Sequence, residues 1–168
     1  MSTVKIRCFH NSDEFNDAVK GKKGFYLLII SVKDRFSFNL RKEKRTITGG
    51  LYLYIGSAMG GISGRVSRHI ENPINFHWHI DYLLRKSSIE EIIAVPSKED
   101  MECRVARFFA GLFGWSSGIL GFGSSDCTCP THLFLIPEIL LIDNLLKEVL
   151  WKGIGYFPEE IYCLSPLE

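Results

Sequence analysis

An α+β fold is what this sequence predicts: a small antiparallel or mixed central sheet flanked by helices, in a single domain over residues 1–168. Short apolar, β-branched runs such as Phe25-Tyr-Leu-Leu-Ile-Ile-Ser-Val32 read as buried strands. Stretches with apolar residues one helical turn apart, such as Ile62, Val66 and Ile70, read as helices. The two kinds mix without the regular strand–helix–strand alternation of a parallel sheet, which favours α+β.

Each element follows from local signals. Residues 4–7 read as a short strand, and Asn11-Ser-Asp-Glu starts a helix through about Val19. Gly24 opens the apolar run 25–32. Arg35-Phe-Ser-Phe-Asn-Leu40 alternates, Arg41-Lys-Glu-Lys-Arg45 reads as a charged turn, and Thr46-Ile-Thr48 returns, so this stretch is a hairpin. After Gly49-Gly50 a strand covers 51–55 and puts Tyr52 and Tyr54 on one face. Met59-Gly-Gly61 is a turn, and Ile62 to Ile70 is a helix on which Arg65 and His69 share a face, with Arg68 beside them. A helix covers Trp78 to Lys86, and Ile89 to Val95 is a strand ended by Pro96. Asp100 to Phe113 is a helix with Val105, Phe108, Phe109 and Leu112 facing inward. A Gly- and Ser-rich loop runs from 114 to 130, His132 to Ile136 is a strand, and Pro137 begins an amphipathic helix to about Leu150. That last helix either closes the core or pairs with a second copy of the chain, so a homo-oligomer stays open.

The bulk numbers exclude several function classes. With 46% hydrophobic residues over 168 positions the chain builds a substantial core and is not a disordered segment. The net charge of +1 gives no global field for a polyanion, so nucleic-acid binding must come from local clusters. No apolar run approaches the roughly 18 residues that span a bilayer. The start, MSTVKIRCFHNSDEF, has no apolar core of the signal-peptide kind, so a cytoplasmic protein with no membrane partner is expected. Five cysteines (Cys8, Cys103, Cys127, Cys129, Cys163) fit mostly reduced, buried thiols, and spacing assigns no disulfide.

The order of motifs then matters. Gly24-Phe25-Tyr26 is followed by Tyr54-Ile55-Gly56-Ser57-Ala58, then by Arg65 with Arg68-His69, then by Glu102. This order resembles the GIY-YIG nuclease superfamily. The stretches YIGSAMGGISGRVSRH, HWHIDYLL, MECRVARFFA and GFGSSDCTCPTHLF resemble its small Uri branch, the one that contains intron-encoded-endonuclease-like domains. The resemblance covers about 24–136 and leaves 1–20 and 137–168 without a functional reading. Gly50-Leu51-Tyr52 imitates the first motif, but it abuts the second, and the two tyrosines must come from neighbouring antiparallel strands. The chain departs from the pattern in its long spacer between Tyr26 and Tyr54, where the extra hairpin must fold out of the way.

The resemblance implies a Mg²⁺- or Mn²⁺-dependent endonuclease acting on nucleic acid, DNA ahead of RNA, structure-selective or weakly sequence-specific, in repair or recombination. It implies Glu102 as the single protein ligand of the ion and Arg65 as the partner of the scissile phosphate. Tyr54 or Tyr26 would orient and deprotonate water, with His69 holding a tyrosine hydroxyl or a phosphate oxygen. A phenol with a reference pKa near 10 needs positive charge beside it for that task. Gly56, Ser57, Arg68, His77, His79 and Ser125 are the candidate substrate contacts. Taken singly, the same residues read as ordinary sheet tyrosines, a solvated basic helix face and one acid among nineteen.

Three further clusters carry open readings. His77-Trp78-His79-Ile80-Asp81 suits substrate contact, structural hydrogen bonding or a transition metal. Cys127-Thr-Cys129-Pro-Thr-His132 suits a packed loop or a zinc site whose fourth ligand is Cys103, Asp126 or a distant residue. Lys33, Arg35, Arg41, Lys42, Lys44 and Arg45 surround one hairpin and fit either a phosphate-tracking arm or a solvated edge. The alternatives to the nuclease are therefore a catalytically silent nucleic-acid-binding domain and a zinc-stabilised interaction domain.

Overall fold

The structure, a computed structural model, describes residues 3–71, 75–138 and 151–165. It is α+β, with helices on both faces of a mixed six-stranded sheet and a separate two-stranded sheet. The elements are β1 (Lys5–Phe9), α1 (Ser12–Val19), β2 (Gly24–Val32), β3 (Phe36–Leu40), β4 (Glu43–Ile47), β5 (Gly50–Ala58), α2 (Ile62–Glu71), α3 (His79–Leu84), β6 (Ser88–Pro96), α4 (Glu102–Phe113), a 3₁₀ turn (Trp115–Ser117), β7 (Leu133–Ile136) and β8 (Glu160–Leu164). The large sheet runs β1-β8-β6-β2-β5-β7; among the described residues only the β1–β8 pair is parallel.

Alternation along the central strands builds two cores. Tyr26, Leu28 and Ile30 with Tyr52 and Tyr54 face α1, α2 and α3, which contribute Phe15, Val66, Ile80 and Leu83. Phe25, Leu27 and Ile29 with Leu51, Leu53 and Ile55 face α4, which contributes Val105, Ala106, Phe109 and Ala110. Strands buried on both faces read as continuous apolar runs, which is why 25–32 carries so few polar residues. Asn11 caps α1 as its sequence position implies, its side-chain oxygen accepting from the N–H groups of Asp13 and Glu14 at 2.9 and 3.0 Å.

Several local expectations change. The hairpin does fold out, as the sheet β3–β4, while β2 and β5 stay paired from Gly24↔Ala58 to Val32↔Gly50. Its charged turn is only Arg41 and Lys42, at φ +49° and +68°, and Glu43 to Arg45 already belong to β4. Two left-handed residues suffice because that turn matches the twist of a strand pair. Leu112, expected inside, is 51% exposed. The buried stripe of α4 is rotated toward Ala106 and Ala110, whose small side chains let the helix approach the sheet.

Glu160–Leu164 has no counterpart in the sequence reading, yet it inserts between β1 and β6. It places Cys163 directly opposite Cys8, and the two form a disulfide. The helix expected from Pro137 to Leu150 falls almost wholly on 139–150, outside the described residues. Among the described residues no helix is long and apolar enough to cross a membrane.

Candidate functional site

The centre of the site is a close approach between two strands. Tyr26 lies directly opposite Gly56 in the β2–β5 register. A Cβ at position 56 would sit 2.2 Å from the Tyr26 ring and 2.4 Å from its hydroxyl, so only glycine lets the phenol fold across the neighbouring strand. Tyr54, on the same face, has its ring centroid 6.4 Å from that of Tyr26. Gly123 (φ +70°) backs it in the same way, since a Cβ there would come within 2.9 Å of the Tyr54 ring, and Phe122 meets that ring edge-on at 6.0 Å. Tyr52 shares the face but not the site: its hydroxyl donates to the Thr48 carbonyl at 2.9 Å.

Helix α2 brings the basic groups. His69 is buried, and its Nε2 lies 2.7 Å from the Tyr26 hydroxyl. Burial pulls the His69 imidazole down to about 4, against the opposing field of Asp81. Its Nδ1 has no hydrogen-bond partner among the described residues. Arg65 stacks on Trp78, its guanidinium 4.3 Å from the ring centroid, and makes no ion pair among the described residues.

Arg68, expected to touch substrate, is instead held by the structure. It pairs with the buried Asp81 at 2.7 Å, donates to the Asn75 carbonyl and also lies over Trp78. Asp81 accepts in addition from the backbone N–H groups of His77 and Trp78. Burial pushes the Asp81 carboxyl up, but those N–H groups and the Arg68 guanidinium outweigh it and hold it below its ordinary range.

Glu102 opens helix α4 and comes in at the β5–β7 end of the sheet. Its Oε1 lies 2.8 Å from Nδ1 of the buried His132, the residue just before β7. His132 is fixed on both sides by backbone, its N–H donating to the Phe122 carbonyl and its carbonyl accepting from the Ile55 N–H. The other ring nitrogen, Nε2, lies 3.5 Å from the Cys127 sulfur. Cys103, Cys127, Cys129 and His132 have their donor atoms within 4.8 Å of one another. Burial, reinforced by the neighbouring thiols, raises the Cys103 thiol to about 12.

The groups meet at the phenols: His69 bonds the Tyr26 hydroxyl, and Arg65 and Glu102 act electrostatically on both Tyr26 and Tyr54. Burial raises both phenols, the Glu102 charge raises them further, and Arg65 opposes it. Arg65 lowers both phenols, as the reading of a phenol beside positive charge has it, but desolvation is the larger effect and the net shift is upward.

The other candidates are more scattered. Gly56 is at the centre, whereas Ser57 sits on the opposite face of β5 by strand alternation. His79 accepts from the Gly123 N–H at 3.2 Å and packs on Phe122, which places it in the support of Tyr54. His77 and Ser125 are exposed, and nothing draws them to the phenols. His77, His79 and Asp81 do not form a metal-ligand group; the group of that kind among the described residues is the one at His132.

Sequence reasoning missed Trp78 as the platform for two arginines and His132 as the partner of Glu102. Both sit in motifs that had been read for their histidine and cysteine neighbours. A cavity of about 900 Å³ lies elsewhere, lined by Lys22, Lys23, Lys98, Arg104, Tyr156 and Tyr162 among others, and includes none of the five interacting residues.

A family model described as "Domain of unknown function DUF123" matches residues 25–152. No curated protein and no solved structure matches the chain. The match corrects the resemblance drawn from the motifs, because the model that fits is not a GIY-YIG one. Gly-x-Tyr and Tyr-Ile-Gly are short combinations of residues, and of their glycines Gly56 makes room for Tyr26 while Gly24 lies against the backbone of 95–97. The order of the motifs weighs less than one match across most of the chain.

Proposed function

The chain belongs to the DUF123 family, whose description assigns no activity, and we propose that it hydrolyses phosphodiester bonds in nucleic acid, DNA ahead of RNA. The observation that carries this reading is Arg65: a guanidinium stacked on Trp78, without a carboxylate partner among the described residues, beside two buried phenols. A planar cation so placed suits a phosphate that arrives with its own negative charge.

Glu102 fits a hydrated Mg²⁺ or Mn²⁺. One carboxylate oxygen is engaged by His132, and the side chain keeps about 20% exposure. Such an ion takes one or two carboxylates and completes its shell with water and substrate phosphate. When bound, it would neutralise charge on the phosphate oxygens. The protein's own groups do the rest. Arg65 holds the phosphate, and the Tyr54 hydroxyl orients the attacking water. That water passes a proton to the Tyr26 oxygen while the Tyr26 proton moves to Nε2 of His69. The new P–O bond forms to the water oxygen as the ester P–O bond breaks, the leaving oxygen takes a proton from solvent, and His69 returns its proton to solvent. His69 is neutral at physiological pH with Nε2 at the Tyr26 hydroxyl, and because burial disfavours its charged form it holds the relayed proton only briefly before returning it.

We place the protein in the cytoplasm on its three free thiols, which an oxidising compartment would tend to pair, although the Cys8–Cys163 bridge pulls the other way. The test is incubation with Mg²⁺ or Mn²⁺ and a panel of single-stranded, flapped and branched DNA alongside RNA. Cutting of a DNA member by the parent, lost in Glu102→Gln and Arg65→Ala, is expected. A folded parent that cuts nothing on the panel overturns the proposal. One observation favours a second reading, a binding domain without chemistry: both phenols are raised, so neither is a ready base in the free protein. Binding by the parent with no cutting, and no difference from Glu102→Gln, would select it.

A further inference from the structure

We propose that the chain holds a structural zinc ion between Cys103, Cys127, Cys129 and Nε2 of His132, and that Glu102 is the outer partner of the histidine ligand. The inference does not depend on the nuclease reading, because it concerns a metal with sulfur donors and no part in phosphate chemistry.

The geometry is that of a closed site. Tetrahedral zinc with bonds of about 2.3 Å to sulfur and about 2.0 Å to nitrogen puts its donors roughly 3.5–3.8 Å apart. The Cys127 sulfur and His132 Nε2 are 3.5 Å apart, and no pair among the four donors exceeds 4.8 Å. The donors come from three places in the chain: the first turn of α4, the loop at 127–129, and the residue before β7. Three thiols drawn from two separate segments to one point have little to gain from one another without a cation. Soft thiolate ligands with one imidazole select zinc over Mg²⁺.

The orientation of His132 is a second, independent sign. A zinc-bound histidine donates its remaining ring N–H to a carboxylate or carbonyl, which settles the tautomer and the ring plane. His132 has that arrangement, with Nε2 toward the thiols and Nδ1 2.8 Å from Glu102 Oε1. The ion would fasten the loop that carries Phe122 and Gly123 to helix α4, and so hold in place the residues that back Tyr54. The Cys-x-Cys spacing looks irregular only in sequence, since Cys103 completes the set from a distance.

The experiment is metal analysis of the full chain, purified under reductant without added zinc, followed by Co²⁺ titration of the metal-stripped protein. Stoichiometric zinc, and an intense thiolate-to-cobalt charge-transfer band with tetrahedral visible bands, are expected. Cys127→Ser should lose about a third of that charge-transfer intensity, one thiolate of the three. Glu102→Gln should still bind but release metal to a competing chelator roughly 10–100-fold more readily. If Cys127→Ser fails to fold, the cobalt spectrum of the parent decides alone. A folded parent with neither zinc nor a thiolate–cobalt band overturns the inference. So does a disulfide among Cys103, Cys127 and Cys129 in the reductant-treated protein.

Discussion

Acid should destabilise this protein through His69, and the size of the effect can be worked from its surroundings. The imidazole is nearly fully buried and its pKa is pulled from 6.5 to about 4 by burial. The unfolded chain therefore takes up a proton at a pH where the folded one refuses it. Stability from this group is complete above about pH 6.5, falls as the pH drops toward 4, and levels off below that. The gap between 6.5 and about 4 corresponds to roughly 3 kcal/mol. Carboxylates titrate in the same window, so the parent is compared with His69→Gln by urea unfolding at several pH values. The variant is less stable at pH 7, because the Tyr26 hydroxyl loses its partner. The difference between the two should then shrink by roughly 3 kcal/mol on going to pH 4. NMR titration of the His69 ring gives the midpoint directly. A midpoint near 6.5, or a parent–variant difference that stays constant with pH, refutes the reasoning.

Gly56→Ala should cost about 1–3 kcal/mol, since the added methyl meets the Tyr26 ring in a packed core. Tyr26→Ala in the same background should recover part of that loss in denaturant unfolding, and independent, additive effects would count against the close approach. Reduction of the Cys8–Cys163 bridge, or Cys8→Ser, should lower stability by up to roughly 5 kcal/mol in the chain-entropy view, because the bridge closes a loop between residues 155 positions apart. A melting temperature that is the same with and without reductant would contradict this.

Much of the candidate site was legible before the fold. Tyr26, Tyr54, Arg65, His69 and Glu102 were chosen from motifs; in space His69 meets the Tyr26 hydroxyl, and Arg65 and Glu102 both act on the two phenols. The family drawn from those motifs was not right, and Arg68 shows why residue type alone misleads. A basic residue near a proposed phosphate site looks like a phosphate contact until Asp81, thirteen residues on, is seen to take its charge. The same limit hid β8, whose five residues carry no signal saying which strands they join.

By itself the order of residues determined the α+β class and nearly every strand and helix of the described chain, whereas the approach of Tyr26 to Gly56 and of Tyr54 to Gly123 came only with the tertiary structure. The class and its elements depend on contacts within a few residues: alternation, one-turn spacing and backbone freedom. Only the tertiary structure decided that Cys8 meets Cys163, that Trp78 carries Arg65, and that His132 stands between Glu102 and three thiols. These are encounters between distant segments, set by how a twisted sheet places its edges and helix ends rather than by any local pattern.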